Sequence, residues 1–390
     1  VFLTGMQAII RLVLEKQIAD ALKGQINQTY FTGYEGSPLG GLDLELVRNL
    51  EIMNAEGRTL HQFGINEKTA ASAILGTQFA ENINVDAFWY GKAHGTMWIP
   101  DEVWLANLSG TADNGSMVLL CGEDHRSKSS VSPGASEGIL RSCNVPIFYP
   151  SNIEEVIELG LHAVNLSRHS GLVTALKMVT PVCDGGSTVH LNRVRPRIVL
   201  PSLNYSKKFN RIVMAERAVP MQKELVERKL PIAEQYIHLN KLNRVYNEDS
   251  KSEIGIITTG KSYTDVSQAV DYLGIDVPIL HLRAIYPLDT EAVRSFASGL
   301  KSVYVIEEPG PFVEDGIKSA LFNSGVENVL GHVDESQKPF IPSFGELDPE
   351  ILVDLLSPRF GIKTGRSKLL INSPGTVLNT PNVTPMSCGG

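Results

Sequence analysis

The chain has 390 residues, 43% apolar and 20% charged, with a net charge of -8. Such a composition belongs to a globular protein of two or more domains, and the negative balance argues against nucleic-acid binding by bulk attraction. No apolar run reaches membrane-spanning length, and Val1–Leu14 lacks the basic start and small-residue cleavage site of a signal peptide, so a cytoplasmic location is expected.

From residue 1 to 195, short apolar runs alternate with amphipathic stretches. The pattern predicts strands over Gln28–Thr32, Ala87–Tyr90, Met117–Cys121, Val145–Tyr149 and Leu172–Met178. Helices are predicted over Met6–Leu22, Leu42–Glu56, Glu67–Glu81, Glu102–Leu108 and Ile153–Ser170, the last started by Ser151 with Glu154. Strands separated by helices imply a parallel sheet covered on both faces. Residues 196–250 open with Pro196, Pro201 and Pro220 and continue into charged helices, Glu216–Leu230 and Pro231–Tyr246, a linker and helical arm. Residues 251–340 return to α/β character and predict a smaller Rossmann-like domain. Its strands are Glu253–Thr258, Val277–Leu282 and Val303–Ile306, with helices Tyr263–Leu273 and Asp289–Leu300. Residues 341–390, rich in Pro, Ser, Asn and Thr, are expected to be a tail. The cysteines at 121, 143, 183 and 388 stand too far apart for metal-ligand or redox pairs, and buried thiols are the plainer reading.

Four stretches carry candidate chemistry. The loop Gly33-Tyr34-Glu35-Gly36-Ser37-Pro38-Leu39-Gly40-Gly41 follows a strand and precedes a helix; its glycines allow close approach, and Ser37 can donate to a carboxylate. A Gly/Pro-rich turn is the ordinary explanation of such a loop. Asn66-Glu67 opens a helix of small residues running to Gly76-Thr77-Gln78. There Glu67 is either a reactive carboxyl group or simply a first-turn acid favoured by the helix dipole. The loop Gly122-Glu123-Asp124-His125-Arg126-Ser127-Lys128-Ser129-Ser130 lies at a strand's carboxyl end, where ligands gather in open α/β sheets. Lys128, Ser129 and Ser130 can hold an anion there, or belong to a solvated loop. Trp89-Tyr90-Gly91-Lys92 and His94 close another strand. Neither a G-x-G-x-x-G after the first strand nor a P-loop occurs. No GDG…N pattern for Mg²⁺ and diphosphate is present, and no cysteine run for an iron–sulfur cluster.

Taken in order, these stretches resemble the indolepyruvate:ferredoxin oxidoreductases, the long fused bacterial type among them. The resemblance extends from Val1-Phe2-Leu3-Thr4-Gly5-Met6-Gln7-Ala8 through Ala106-Asn107-Leu108-Ser109-Gly110-Thr111 to Gly255–Tyr263 and Val305-Ile306-Glu307-Glu308. It implies an α/β fold. Residues 1–195 would be the pyrimidine-binding domain of a thiamine diphosphate enzyme, and residues 251–340 a domain like the C-terminal one of transketolase. Residues 196–250 would be the arm between them, and residues 341–390 a tail leading to a diphosphate-binding domain that this chain lacks. Cys388-Gly389-Gly390 looks like the beginning of that domain's Cys-x-Gly-Cys-Pro-His motif. The implied reaction is CoA-dependent oxidative decarboxylation of an aryl 2-oxoacid, with electrons passed to ferredoxin.

By the same resemblance Glu67 is the catalytic carboxylate against the cofactor's aminopyrimidine, with Gly36, Asn66, Gly91 and Lys92 also facing the cofactor. Ser37, Lys128, Ser129 and Ser130 face the substrate. Mg²⁺ would be held by the missing domain and iron–sulfur clusters by other parts. The implied partners are a diphosphate-binding domain or subunit, a carboxyl-transfer domain or subunit, ferredoxin, and further copies of the chain. Two loops depart from the family. Gly-Pro-Gly-Val-Asp-Arg is replaced by Ala93-His94-Gly95-Thr96-Met97-Trp98, and Ala-His-Gln-Ser-Glu by Pro133-Gly134-Ala135-Ser136-Glu137. These departures define the alternative, a non-catalytic member acting as an interaction subunit.

Overall fold

In the computed structural model the described residues are 1–55, 58–202 and 205–363. The chain begins with β1 (Phe2–Thr4), α1 (Gly5–Leu22), β2 (Asn27–Gly33), α2 (Leu42–Met53), β3 (Thr59–Phe63), α3 (Glu67–Thr77) and β4 (Asn84–Lys92). There follow α4 (Ala93–Thr96), α5 (Pro100–Ser109), β5 (Ser116–Glu123), α6 (Glu137–Ser142), β6 (Ile147–Phe148), α7 (Ile153–Ser170), β7 (Thr174–Val179), α8 (Thr180–Asp184) and β8 (Gly186–Thr188). The central strands β4, β5 and β7 are almost wholly buried along their length, as befits parallel strands covered by helices on both faces. Thr4 and Gln7 form a capping box at the start of α1. Helix α1 packs on α2 and α7, and α3 on α5. Asn152, not Ser151, caps α7, accepting the Glu155 N–H at 3.0 Å, while Ser151 donates to the Glu155 carboxylate.

The charged arm folds as α9 (Ala215–Glu224), a π-helical turn at Leu225–Lys229, and α10 (Leu230–Leu239). The helix expected to reach Tyr246 ends earlier. Past the left-handed Lys241, Arg244–Tyr246 forms β9 instead, because its Val and Tyr pair antiparallel with the next domain's sheet. That domain contains β10 (Ile254–Thr259), α11 (Ser262–Leu273), β11 (Ile279–Leu282), β12 (Ala284–Tyr286), α12 (Thr290–Ala297), β13 (Ser302–Ile306), α13 (Glu314–Ala320), β14 (Asn328–Leu330) and α14 (Pro349–Leu356).

Two main sheets result. The first has the order β12-β6-β7-β5-β4-β2-β3, parallel except for β12, and the second the order β14-β13-β10-β11-β9, parallel except for β9. Strand β12 comes from the second half of the chain but pairs with β6 of the first, Ala284 opposite Phe148. Separately, β1 and β8 pair antiparallel and tie the amino terminus down.

The stretch after residue 340 is more than a tail. Asp348 caps α14 by accepting the Ile351 N–H at 2.9 Å, and Leu352, Val353 and Leu356 are buried against the second domain. The Pro- and Ser-rich approach hid an Asp-Pro-Glu helix start and an apolar i, i+1, i+4 face. Residues 364–390, with the Cys388-Gly389-Gly390 expectation, lie outside the described residues. Cys121, Cys143 and Cys183 are free and buried.

Candidate functional site

The singled-out residues gather on one edge of the first sheet, the edge formed by the carboxyl ends of its parallel strands. Strand β2 feeds the loop carrying Gly36 and Ser37, β3 feeds the amino end of α3, β4 ends on Lys92, and β5 feeds the loop of Lys128, Ser129 and Ser130.

Asn66 is the cap of α3; its Oδ1 accepts the Thr69 N–H at 2.9 Å, so that oxygen is committed to the helix. Glu67 follows as the first helical residue and is half-buried. Its main-chain carbonyl accepts the Trp89 indole N–H at 3.1 Å. Gly91 makes that possible: a Cβ there would stand 2.6 Å from the Trp89 ring. The Glu67 side chain lies against Gly95, where a Cβ would meet its Cγ at 2.6 Å and Oε1 at 2.9 Å. Among the described residues no cation pairs with the Glu67 carboxylate, whereas neighbouring Lys68 pairs with Glu102 at 3.3 Å.

On the facing loops, the Ser37 and Ser129 hydroxyls touch, and the Ser130 hydroxyl donates to the Ser37 carbonyl at 3.4 Å. The stem of Lys92 crosses Gly36; a Cβ on that glycine would meet Lys92 Cδ at 3.0 Å. The Lys128–Ser130 loop is organised by Asp124, a residue the sequence reading quoted but did not single out. Its carboxylate accepts the N–H groups of Lys128, Ser129 and Ser130 at 3.0, 2.8 and 3.0 Å. Burial pushes the Asp124 carboxyl up, and the three amides more than reverse this, holding it below the usual carboxylate range. These amides are therefore spent on Asp124. The Lys128 ammonium sits 3.4 Å from Glu346, and Arg126 bonds Asp348 at 2.6 Å, so the second domain grips this loop.

The two divergent loops meet beside Glu67. His94 Nε2 lies 2.8 Å from the Ser132 hydroxyl, and Gly134 packs on Ala93 and His94.

Behind the loops, where the carboxyl ends of both sheets face one another, runs a buried polar network that the sequence reading did not assemble. Lys177 of β7 bonds Glu137, lies 3.2 Å from Glu123, and donates to the Glu308 carbonyl at 3.2 Å. Its ammonium stands 4.4 Å over the Tyr149 ring. His125 bonds Glu123 at 2.9 Å and faces Glu308 at 3.7 Å. Burial and Lys177 push the His125 imidazole down, but Glu123 and Glu308 outweigh them and lift it to about 8. Burial raises the Glu137 carboxyl, with Glu123 adding to the effect, while Lys177 and His125 keep Glu123 itself low despite its burial. These partners come from strand ends up to 185 positions apart, which no local pattern reveals.

The fold is shared with two solved enzymes. A 2-oxoglutarate:ferredoxin oxidoreductase from Magnetococcus marinus superposes over 92% of this chain and 65% of its own, with a TM-score of 0.63 at 12% identity. A split-gene transketolase, an inactive β4 tetramer, superposes over 93% of this chain and 99% of its own, with a TM-score of 0.51 at 12% identity. More particularly, the sequence is similar to indolepyruvate oxidoreductases. Residues 244–373 match the indolepyruvate oxidoreductase domain. Indolepyruvate oxidoreductase subunit IorA of Methanothermobacter marburgensis is 28% identical over 93% of this chain, and that of Archaeoglobus fulgidus 23% identical over 100% of this chain. The chain spans 55% and 59% of those two relatives, a little over half of each. No helix among the described residues is long and apolar enough to cross a membrane.

Proposed function

We propose that this chain supplies the pyrimidine-binding side of a thiamine diphosphate site in an oxidoreductase that converts an aryl 2-oxoacid and CoA to acyl-CoA and CO2, passing the electron pair to ferredoxin. The observation that carries the proposal is the Glu67 carboxylate. It is half-buried, free of any cation among the described residues, and seated against Gly95, where a Cβ would press on its Cγ at 2.6 Å. Kinship with the IorA subunits supports the same reading. Residues 1–195 are the pyrimidine-binding domain, 196–250 the arm, and 251–340 the transketolase-like domain. Mg²⁺, the diphosphate and the iron–sulfur clusters are held by parts outside this chain.

In this assignment Glu67 hydrogen-bonds the aminopyrimidine and holds the proton there, while Trp89 and the Asn66 cap fix the helix end from which it projects. Such a positioned carboxyl group is worth about 10²–10⁴-fold in rate. Ser37 and Ser129 present hydroxyls to the substrate from the opposite loops. When bound, the cofactor supplies the electron sink for loss of CO2. The experiment is an aryl 2-oxoacid- and CoA-dependent ferredoxin reduction assay on the chain joined to its diphosphate-binding part. Activity that disappears in Glu67→Gln supports the proposal.

The second reading, a non-catalytic interaction subunit, draws on the two divergent loops, which pack together next to Glu67. Absence of thiamine diphosphate binding by the assembled protein would favour it.

A further inference from the structure

The carboxyl edge of the first sheet holds several cations, and nearly all are spoken for. Lys68 pairs with Glu102, Arg126 with Glu346 and Asp348, Lys128 with Glu346, and Lys177 with Glu123 and Glu137. Lys92 is different. It ends β4, is half-buried, and makes no ion pair among the described residues. Its stem lies on Gly36, with Cγ and Cδ 3.1 and 3.0 Å from where a Cβ would stand. That contact holds the apolar stem against the backbone of the loop that carries Ser37, with the ammonium two bonds beyond Cδ. Nearby amides cannot replace it, because those of residues 128–130 are consumed by Asp124.

We infer that Lys92 is the residue that binds the carboxylate of the 2-oxoacid substrate, with the Ser37 and Ser129 hydroxyls completing the contact. Lys92 is thereby a substrate ligand and not a cofactor ligand, and Lys128, held by Glu346, belongs to the contact between domains. The assignment rests on the function proposed above and specifies its substrate subsite. A small, strongly hydrated ammonium suits a carboxylate that must later leave as CO2, since it pairs as a point charge without the bidentate grip of a guanidinium.

The test uses the assembled oxidoreductase, this chain together with its diphosphate-binding part, as wild type, Lys92→Gln and Lys92→Arg. Three quantities are read: KM and kcat for an aryl 2-oxoacid, affinity for thiamine diphosphate with Mg²⁺, and calorimetric affinity of the cofactor-free assembly for phenylpyruvate. Lys92→Gln is expected to raise KM and weaken phenylpyruvate roughly 10- to 100-fold, the loss of one charge-assisted hydrogen bond. Cofactor affinity should stay within twofold, and Lys92→Arg should recover part of the KM. A Lys92→Gln protein with unchanged KM and unchanged phenylpyruvate affinity overturns the assignment. So does loss of cofactor affinity at unchanged KM, which makes Lys92 a cofactor ligand. A wild-type assembly that turns over no 2-oxoacid refutes the proposed function, and the phenylpyruvate titration then decides the carboxylate subsite by itself.

Discussion

Replacing Lys177 with Met removes the cation that bridges Glu123, Glu137 and the Glu308 carbonyl while keeping an unbranched chain of similar length over the Tyr149 ring. Lys177 and both carboxylates are almost completely buried, so the variant leaves Glu137 without its counter-ion and Glu123 with His125 alone in a low-dielectric interior. Breaking a buried pair in this way costs about 3–5 kcal/mol, which for a chain of this size lowers Tm by roughly 4–6 °C. The penalty has a pH signature. In the wild type Glu123 sits below its ordinary value, so its contribution is present above pH 4.5 and is lost only as pH falls through that lowered value. Without Lys177 both carboxyls move up, and the folded variant takes up protons that the unfolded chain does not. The variant therefore regains stability on acidification from pH 8 to pH 5, and its deficit shrinks. Thermal melts of the full chain at pH 5, 6.5 and 8 measure this, and a Lys177→Met/Glu137→Gln double variant should recover part of the loss at pH 8. A Tm change under 2 °C at pH 8, or an equal deficit at pH 5 and pH 8, refutes the reasoning.

His125, lifted to about 8 from an ordinary 6.5, contributes stability that is fully present below pH 6.5 and disappears as pH rises through 8. His125→Gln should accordingly cost about 2 kcal/mol at pH 6 and much less at pH 9, as read by denaturant titration at both values. Gly260 has φ +40° and a Cβ there would drive into the Tyr149 ring, the backbone-to-ring contact between the two domains. Gly260→Ala should destabilise by about 3 kcal/mol and raise protease sensitivity between the domains, and a melt within 2 °C of wild type would contradict this. Gly95→Ala pushes on Glu67 Cγ. It should cost only about 1–3 kcal/mol in stability yet at least tenfold in activity, a split seen by comparing the melt with the ferredoxin assay.

Much of the fold is written locally. The continuous apolar runs of β4, β5 and β7 and the capped amphipathic α7 declare themselves in single stretches of sequence. Edge and short strands do not. Strand β3 alternates Leu60, His61 and Gln62 at an exposed sheet edge, and β9 and β12 are three-residue segments that become strands only because a neighbouring sheet offers hydrogen bonds. The site shows the same division. Gly36, Ser37, Lys92 and Ser129 stood out because small, hydroxyl and charged residues follow predicted strands, and Glu67 because it opens a predicted helix of small residues. That Lys128 is neutralised by Glu346, and that Asp124 consumes the loop amides, depends on chain segments meeting in space. Gly91 carried a functional expectation, but its contact shows what it does locally, which is to admit the Trp89 ring.

The central claim is that Glu67 is the carboxyl group that activates the cofactor's aminopyrimidine. The most direct test is hydrogen–deuterium exchange at C2 of bound thiamine diphosphate, followed by NMR after quenching, in the assembled protein with Glu67 or Gln at this position. The expected result is exchange slowed at least 100-fold in Glu67→Gln while the cofactor remains bound. Exchange at the wild-type rate in a Glu67→Gln protein that binds the cofactor would contradict it.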